Sequence, residues 1–183
     1  MANTAGKLTD IMEAPALDTT LHFDEIDSPV GRLRLIASDT ALVGIWFENG
    51  RDGKRPWPAI PRRDSEILAR VRTQLAEYFA GERREFDLPL DPRGTEFQRS
   101  VWQRLTRIAY GETTTYGALA RELGDPGASR AVGLANGSNP IPIVIPCHRV
   151  IGADGSLTGF GGGLPIKQAL LELESGSRQP RLF

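Results

Sequence analysis

Two differently built halves predict an α+β protein: an antiparallel sheet with one covering helix, then a mainly helical domain. Three observations carry this expectation. Residues 21–47 hold three runs rich in apolar and β-branched residues, LHFDEI, RLRLIA and ALVGIWF, separated by turn-forming residues. Apolar side chains then recur at helical spacing from Ile67 to Phe79. From residue 95 onward the chain breaks into short helical patterns punctuated by Gly, Pro and Asn.

The first twenty residues, MANTAGKLTDIMEAPALDTT, have neither a basic start leading into an apolar stretch nor a cleavage pattern, and read as a frayed N-terminus. No run of eighteen apolar residues occurs, so a cytoplasmic protein without membrane association is expected. Ser28-Pro29-Val30-Gly31 and Ser38-Asp39-Thr40 are short enough to fold the three runs into a meander. Residues 49–63, rich in Pro and Arg, read as an exposed loop. Ile67, Leu68, Val71, Leu75, Tyr78 and Phe79 share one helix face, and Gly81 is placed to end it. FDLPLDPRG (86–94) reads as a linker, which divides the chain into 21–90 and 91–183.

Thr95-Glu96-Phe97-Gln98 is a capping box, and Phe97, Val101, Leu105 and Ile108 are the expected buried stripe of the helix it starts. A second helix is expected from Tyr116 to Leu123, ended by Gly124, and a third from Asp125-Pro126, an N-cap followed by Pro at the first position. Two short helices joined by a Gly-containing turn fit a helix-turn-helix. On the third helix Ala128, Val132 and Ala135 share the inner side while Arg130 points outward. Arg130 also faces the positive end of the helix dipole, an unfavourable place for a cation and so a hint of function. Gly133 costs a helix about 1 kcal/mol relative to Ala and is expected to let another backbone approach.

Composition narrows the chemistry. The 183 residues include one cysteine, Cys147, and two histidines, His22 and His148, which excludes an internal disulfide and a Cys-rich zinc site. No metal or cofactor is expected. The net charge of −1 does not by itself point to nucleic acid; residues 1–90 hold 12 Lys/Arg against 15 Asp/Glu, and 91–183 hold 10 against 8. A lone thiol is structural or reactive. Three prolines exclude a helix over NPIPIVIPCHRV (139–150), which should be stiff, buried and extended. Directly after Pro146, where a strand yields to a turn, Cys147 and His148 can meet, and imidazole is the usual base that turns a thiol into a thiolate. A third group must orient His148. The last helix, PIKQALLELES, offers Glu174 at the border of its apolar face and Glu172 on the solvent side, making Glu174 the candidate.

IPCHRV, preceded by SNP and by a helix-turn-helix with RAVG, and followed by GFGGG and a helix ending LELE, closely resembles the O6-alkylguanine-DNA alkyltransferases. The resemblance is strong over 93–183, and the N-terminal strands with their SPVG turn match the family's more variable first domain. It implies an RNase H-like first domain and a winged helix-turn-helix second domain. It also implies direct, irreversible transfer of the alkyl group from O6-alkylguanine, and from O4-alkylthymine, to Cys147. The partner would be double-stranded DNA, bound from the minor groove by a monomer. His148 would be the base, reached through a water, with Glu174 behind it and Asn139 bracing the turn. Arg130 would enter the duplex in place of the flipped nucleotide, and Tyr116 would help rotate the base and bond to it. Gly117, Ala131 and Gly133 would lie against the groove. Pro142, Val150, Phe160, Gly161 and Gly162 would form the pocket wall and the loop closing on the base. Gly161 stands where some relatives have serine, which removes one hydrogen bond and widens the pocket. The Cys-rich activator module and the zinc ligands of some relatives are missing from this sequence.

Two rival readings remain at this point. A non-catalytic binder of alkyl damage would carry a bulkier residue in place of Cys147. A thiol hydrolase built on Cys147, His148 and Glu174 would turn over, whereas a thioether-forming protein stops after one event.

Overall fold

The computed structural model describes residues 21–48, 50 and 60–176. The expected frayed N-terminus and most of the 49–63 loop lie outside the described residues. Three strands, β1 (His22–Ile26), β2 (Leu33–Ala37) and β3 (Leu42–Phe47), form an antiparallel sheet with β2 in the middle. The β1–β2 turn closes because Gly31, at φ 97°, donates to Ser28 O at 3.0 Å, in a backbone region that favours glycine. Register pairs Leu35 with Asp24 on one side and Ile45 on the other, and Leu33, Leu35 and Ala37 are buried at every second position. Arg63 N donates to Phe23 O and Phe23 N to Pro61 O, so the end of the 49–63 segment runs beside β1.

Helix α1 (Glu66–Phe79) covers this sheet. Ser65 caps it by accepting from Leu68 N, and its apolar stripe from Ile67 to Phe79 is buried as the spacing predicts. Each such Leu or Val stabilises the fold by about 1.5–3 kcal/mol. Gly81, at φ 76°, follows the helix end. The 86–94 stretch is more than a linker: Leu42 N donates to Pro89 O, Asp91 N donates to Leu42 O, and Leu88 and Leu90 are buried. Two apolar residues in a short polar stretch are enough to pin it against β3.

The second half begins with α2 (Glu96–Leu105), whose capping box between Thr95 and Gln98 forms as expected. Its buried arc is centred on Val101, Trp102 and Leu105, and Phe97 is exposed rather than buried. At 3.6 residues per turn Phe97 lies about 90° from the centre of that arc. Trp102 belongs inside because its indole N–H finds an acceptor, Ala135 O, at 2.8 Å. A side chain at Gly94 would collide with the same indole ring.

Strand β4 (Thr114–Thr115) leads into α3 (Tyr116–Glu122), capped by Thr115. The third helix starts later than expected. Asp125 caps a 3-10 turn over Pro126–Ala128, and α4 runs Ser129–Gly137. Pro126 and Gly127 are poor helix formers, and Ala128, at ψ 11°, leaves the helical region before α4 begins. Next come a 3-10 turn over Cys147–Arg149, β5 (Val150–Ile151) pairing in parallel with β4, and α5 (Leu164–Glu174). α3 and α4 pack together as the helix-turn-helix pair.

The segment 139–150 is buried but not extended. Ile145 N donates to Ile141 O, Pro142 bridges to Ile145, and Ile143 adopts φ 75°. Prolines excluded a helix, yet the chain reverses tightly because Asn139 binds the loop from within: its Oδ1 accepts from Ile141 N and its Nδ2 donates to Ile145 O. A β-branched residue at positive φ is strained. The loop also joins the halves, since Ile45 N of β3 donates to Pro140 O at 2.9 Å. One core runs through both, from Leu33 to Leu173.

Candidate active site

Cys147 sits at the first position of the 3-10 turn, 4 % exposed, with its N–H on Ile145 O and its carbonyl accepting from Asn136 Nδ2. The turn places the next two side chains, His148 and Arg149, in the interior as well. His148 Nε2 lies 2.8 Å from Glu174 Oε1. Glu174 is deeply buried, not at the border of the helix face: Oε1 also accepts from Tyr78 (2.7 Å) and Arg149 Nη2 (2.9 Å), and Oε2 accepts from Arg149 Nε (2.7 Å) and Gly111 N (3.2 Å). Burial opposes the charge on Glu174, but hydrogen bonds from His148 and Arg149 and the Arg149 charge outweigh it and hold the carboxyl well below the usual range.

An ionised Glu174 requires the proton on His148 Nε2, which leaves Nδ1 as a lone pair. That atom is buried and has no hydrogen-bond partner among the described residues. Burial lowers the His148 pKa more than Glu174 raises it, so the ring is neutral and able to accept a proton.

The thiol does not rest as a thiolate. Burial pushes Cys147 up to about 11, against the pull of Asn139 and the Lys167 charge. The expectation that the neighbouring His lowers this value fails because a neutral imidazole contributes no positive charge. The thiol therefore needs a base at the moment of reaction, and the neutral His148 is the candidate beside it in the chain.

Tyr116 opens α3, half-buried, with its hydroxyl donating to Thr158 O at 3.0 Å. Burial raises its pKa, and the proximity of Cys147 adds to the rise. Sequence reasoning missed Lys167, whose fully buried ammonium donates to Val150 O and Thr158 O and lies 6.0 Å from the Tyr116 ring. It also missed Arg149 and Tyr78. The signal for Lys167 and Tyr78 was faint but present: each is a polar side chain on the apolar stripe of an amphipathic helix.

The other expected residues are spread over the second domain, some exposed and some buried. Arg130 and Ala131 are exposed in the first turn of α4, and Arg130 has no ion-pair or hydrogen-bond partner among the described residues. Gly117 and Gly133 flank Tyr116. A Cβ on Gly133 would meet the Tyr116 ring at 3.7 Å, so the glycine borders a side chain and not the second backbone that was expected. Val150 is buried beside the 3-10 turn, and Pro142 belongs to the Asn139-braced loop. Phe160, Gly161 and Gly162 lie against the first domain: Phe160 packs on Phe47 with ring centres 5.6 Å apart, and a Cβ at Gly162 would clash with both rings.

A buried thiol with a His–Glu pair behind it, next to an exposed helix-turn-helix, defines a DNA-binding protein equipped for covalent chemistry on cysteine. Residues 21–92 match the ribonuclease-like domain of 6-O-methylguanine DNA methyltransferase, and residues 96–176 match its DNA-binding domain. A methylated-DNA–protein-cysteine methyltransferase of Mycolicibacterium paratuberculosis is 52 % identical over 159 residues, covering 84 % of this chain and 92 % of the relative. One from Methanosarcina acetivorans is 48 % identical over 154 residues, covering 84 % and 98 %. The crystal structure of Mycobacterium tuberculosis OGT in complex with DNA superposes with a TM-score of 0.78 at 49 % identity, covering 87 % of this chain and 96 % of that one. The chain belongs to the methylated-DNA–protein-cysteine methyltransferase family, enzymes of direct DNA repair by alkyl transfer. No helix among the described residues is long and apolar enough to cross a membrane.

Proposed function

We propose that Cys147 takes the alkyl group from O6-alkylguanine in duplex DNA. The carrying observation is the buried Glu174–His148 pair at 2.8 Å, in which His148 sits in the same turn as the chain's only cysteine and Glu174 reaches it from the end of α5. In the step, the Sγ–H proton passes to His148 Nδ1 through a water, Sγ bonds to the alkyl carbon, and the C–O6 bond breaks with its electron pair going to guanine. Glu174 stabilises the imidazolium. The departing guanine receives a proton or hydrogen bond from Tyr116, whose hydroxyl must turn from Thr158 O to do so. The thioether offers water no carbonyl to attack, so one event exhausts the protein.

The O6-alkyl carbon is hidden in the base stack, so the nucleotide has to be extruded at a cost of a few kcal/mol. Arg130, exposed and unpaired on α4, fills the void. Gly117, Ala131 and Gly133 present little bulk to the minor groove. Asn139 holds the loop under Cys147, and Pro142, Val150 and Phe160–Gly162 line the side where the base enters. In this reading 21–90 and 91–183 are the two working units, and the protein acts as a cytoplasmic monomer that also accepts O4-alkylthymine. The test is intact mass after mixing with a duplex carrying O6-methylguanine. A gain of one methyl group, mapped to the Cys147 peptide and stopping at one equivalent, is expected. Methyl loss from the DNA with an unmodified protein would refute the proposal.

A further inference from the structure

The first domain reaches the carboxylate behind His148. Tyr78, in the last turn of α1, is completely buried, and its hydroxyl donates to Glu174 Oε1 at 2.7 Å across 96 residues of sequence. The same oxygen accepts from His148 at 2.8 Å. Phe79, Phe86 and Tyr110 pack round the Tyr78 ring, with centres 5.4, 5.4 and 6.1 Å away, and fix the direction of its hydroxyl. A buried phenol needs some acceptor, but the domain offers many backbone carbonyls. Here the acceptor is the one carboxylate that pairs with the imidazole.

We propose that Tyr78 is a positioning residue for the His148–Glu174 pair: its hydroxyl holds Oε1 beside the imidazole and shares its negative charge, so that His148 stays neutral and free to take the proton leaving Cys147. This rests on the reading of Cys147 as acceptor and His148 as its base. Several groups face the pair. Tyr78 comes from α1, and Tyr110 and the Gly111 N–H come from the turn after α2. Cys147 and Arg149 come from the 3-10 turn, and Lys167 from α5. Arg149 and Lys167 draw the His148 pKa down, and Glu174 draws it up. Each donor on Oε1 spreads the charge that His148 sees. Removing the Tyr78 hydroxyl therefore strengthens Glu174 as a partner of imidazolium and makes His148 more basic.

Tyr78→Phe removes one oxygen and keeps the ring. Its effect is read in two ways: NMR titration of His148, resolved from His22 as the only other histidine, and the pH–rate profile for free O6-benzylguanine. The His148 midpoint should rise by about one unit, so that transfer falls by up to about tenfold at pH values below the wild-type midpoint and stays within about twofold well above the raised one. In the wild-type protein, needing no variant, the Tyr78 hydroxyl proton resonance should move with the His148 titration. An unchanged His148 midpoint, a wild-type hydroxyl resonance blind to that titration, or an equal rate loss at every pH would overturn the proposal. Cys147→Ala serves as the control. Transfer surviving in that variant would fail the underlying reading, while the NMR titration would still decide the role of Tyr78.

Discussion

Glu174→Gln leaves one oxygen where the site uses two. With that oxygen in the Oε1 position, Tyr78, His148 and Arg149 Nη2 keep their acceptor. The new NH2 then faces Arg149 Nε and Gly111 N, donor against donor, at positions now 2.7 and 3.2 Å apart. Arg149, 5 % exposed, is left as a buried cation without a counter-charge. Removing one partner of a buried pair costs about 3–5 kcal/mol. For a chain of this size that lowers the Tm by about 10 °C. Transfer should slow by about a hundredfold or more, because the imidazolium loses its stabilising charge. Adding Arg149→Met removes the stranded cation, so the double variant should melt above Glu174→Gln alone. Thermal unfolding and single-turnover transfer to O6-benzylguanine read these effects. A Glu174→Gln melting point within about 2 °C of wild type would refute the argument. Acid supplies a second check. The folded-state pKa of Glu174 is depressed, so its contribution to stability is complete above the ordinary value of 4.5 and is lost as pH falls below it. Glu174→Gln should lack that part of the acid sensitivity.

Cys147→Ala should abolish transfer and leave duplex affinity intact, as a gel-shift assay beside a label-transfer assay would show. Arg130→Ala should change stability by no more than about 0.5 kcal/mol, because the side chain is exposed and unpaired among the described residues. It should slow repair in duplex DNA but not the reaction with free O6-benzylguanine; equal losses on both substrates would rule out a role in base extrusion. Gly161→Ser should be neutral for stability, since a Cβ there meets nothing within 4 Å, whereas Gly162→Ala must displace the Phe47–Phe160 contact and lower the Tm. Comparable melting curves for the two variants would show that the loop does not pack as described.

The sheet, α1 and the capping box were legible in the sequence because each rests on local rules. Alternation, helical spacing, a side-chain cap and a glycine at positive φ are written within a few residues. What went astray depended on distant partners. Phe97 and Trp102 both fit an amphipathic pattern, and only the carbonyl of Ala135 in α4 decides which is inside. The 139–150 loop reads as extended because proline excludes helix, while the turn it makes depends on both ends of the Asn139 amide. The delayed start of α4 is the exception. Pro126 and Gly127 signalled it locally, and the favourable Asp-Pro start masked them.

The candidate site divides along the same line. Cys147, His148 and Glu174 were legible as candidates because a nucleophile, a base and an orienting carboxylate are residue types that such chemistry demands together, and the structure sets His148 against Glu174. Arg149, Lys167 and Tyr78 were missed because their partners are distant in sequence, and the faint local signal of a polar side chain on an apolar stripe, present for Lys167 and Tyr78, does not say what that side chain meets. That burial also reverses the expected state of the thiol. With its pKa pushed up to about 11, Cys147 rests as the thiol near neutral pH. A protein that reacts once loses its function to any stray electrophile that reaches a standing thiolate. The same desolvation that silences Cys147 keeps His148 neutral, and in the proposed mechanism the neutral ring is the form that takes the proton. Protection and readiness are therefore one consequence of placing the turn in the core. Exposing the turn would ionise more thiol and would also raise the His148 pKa, leaving more of the ring already protonated and unable to take the proton.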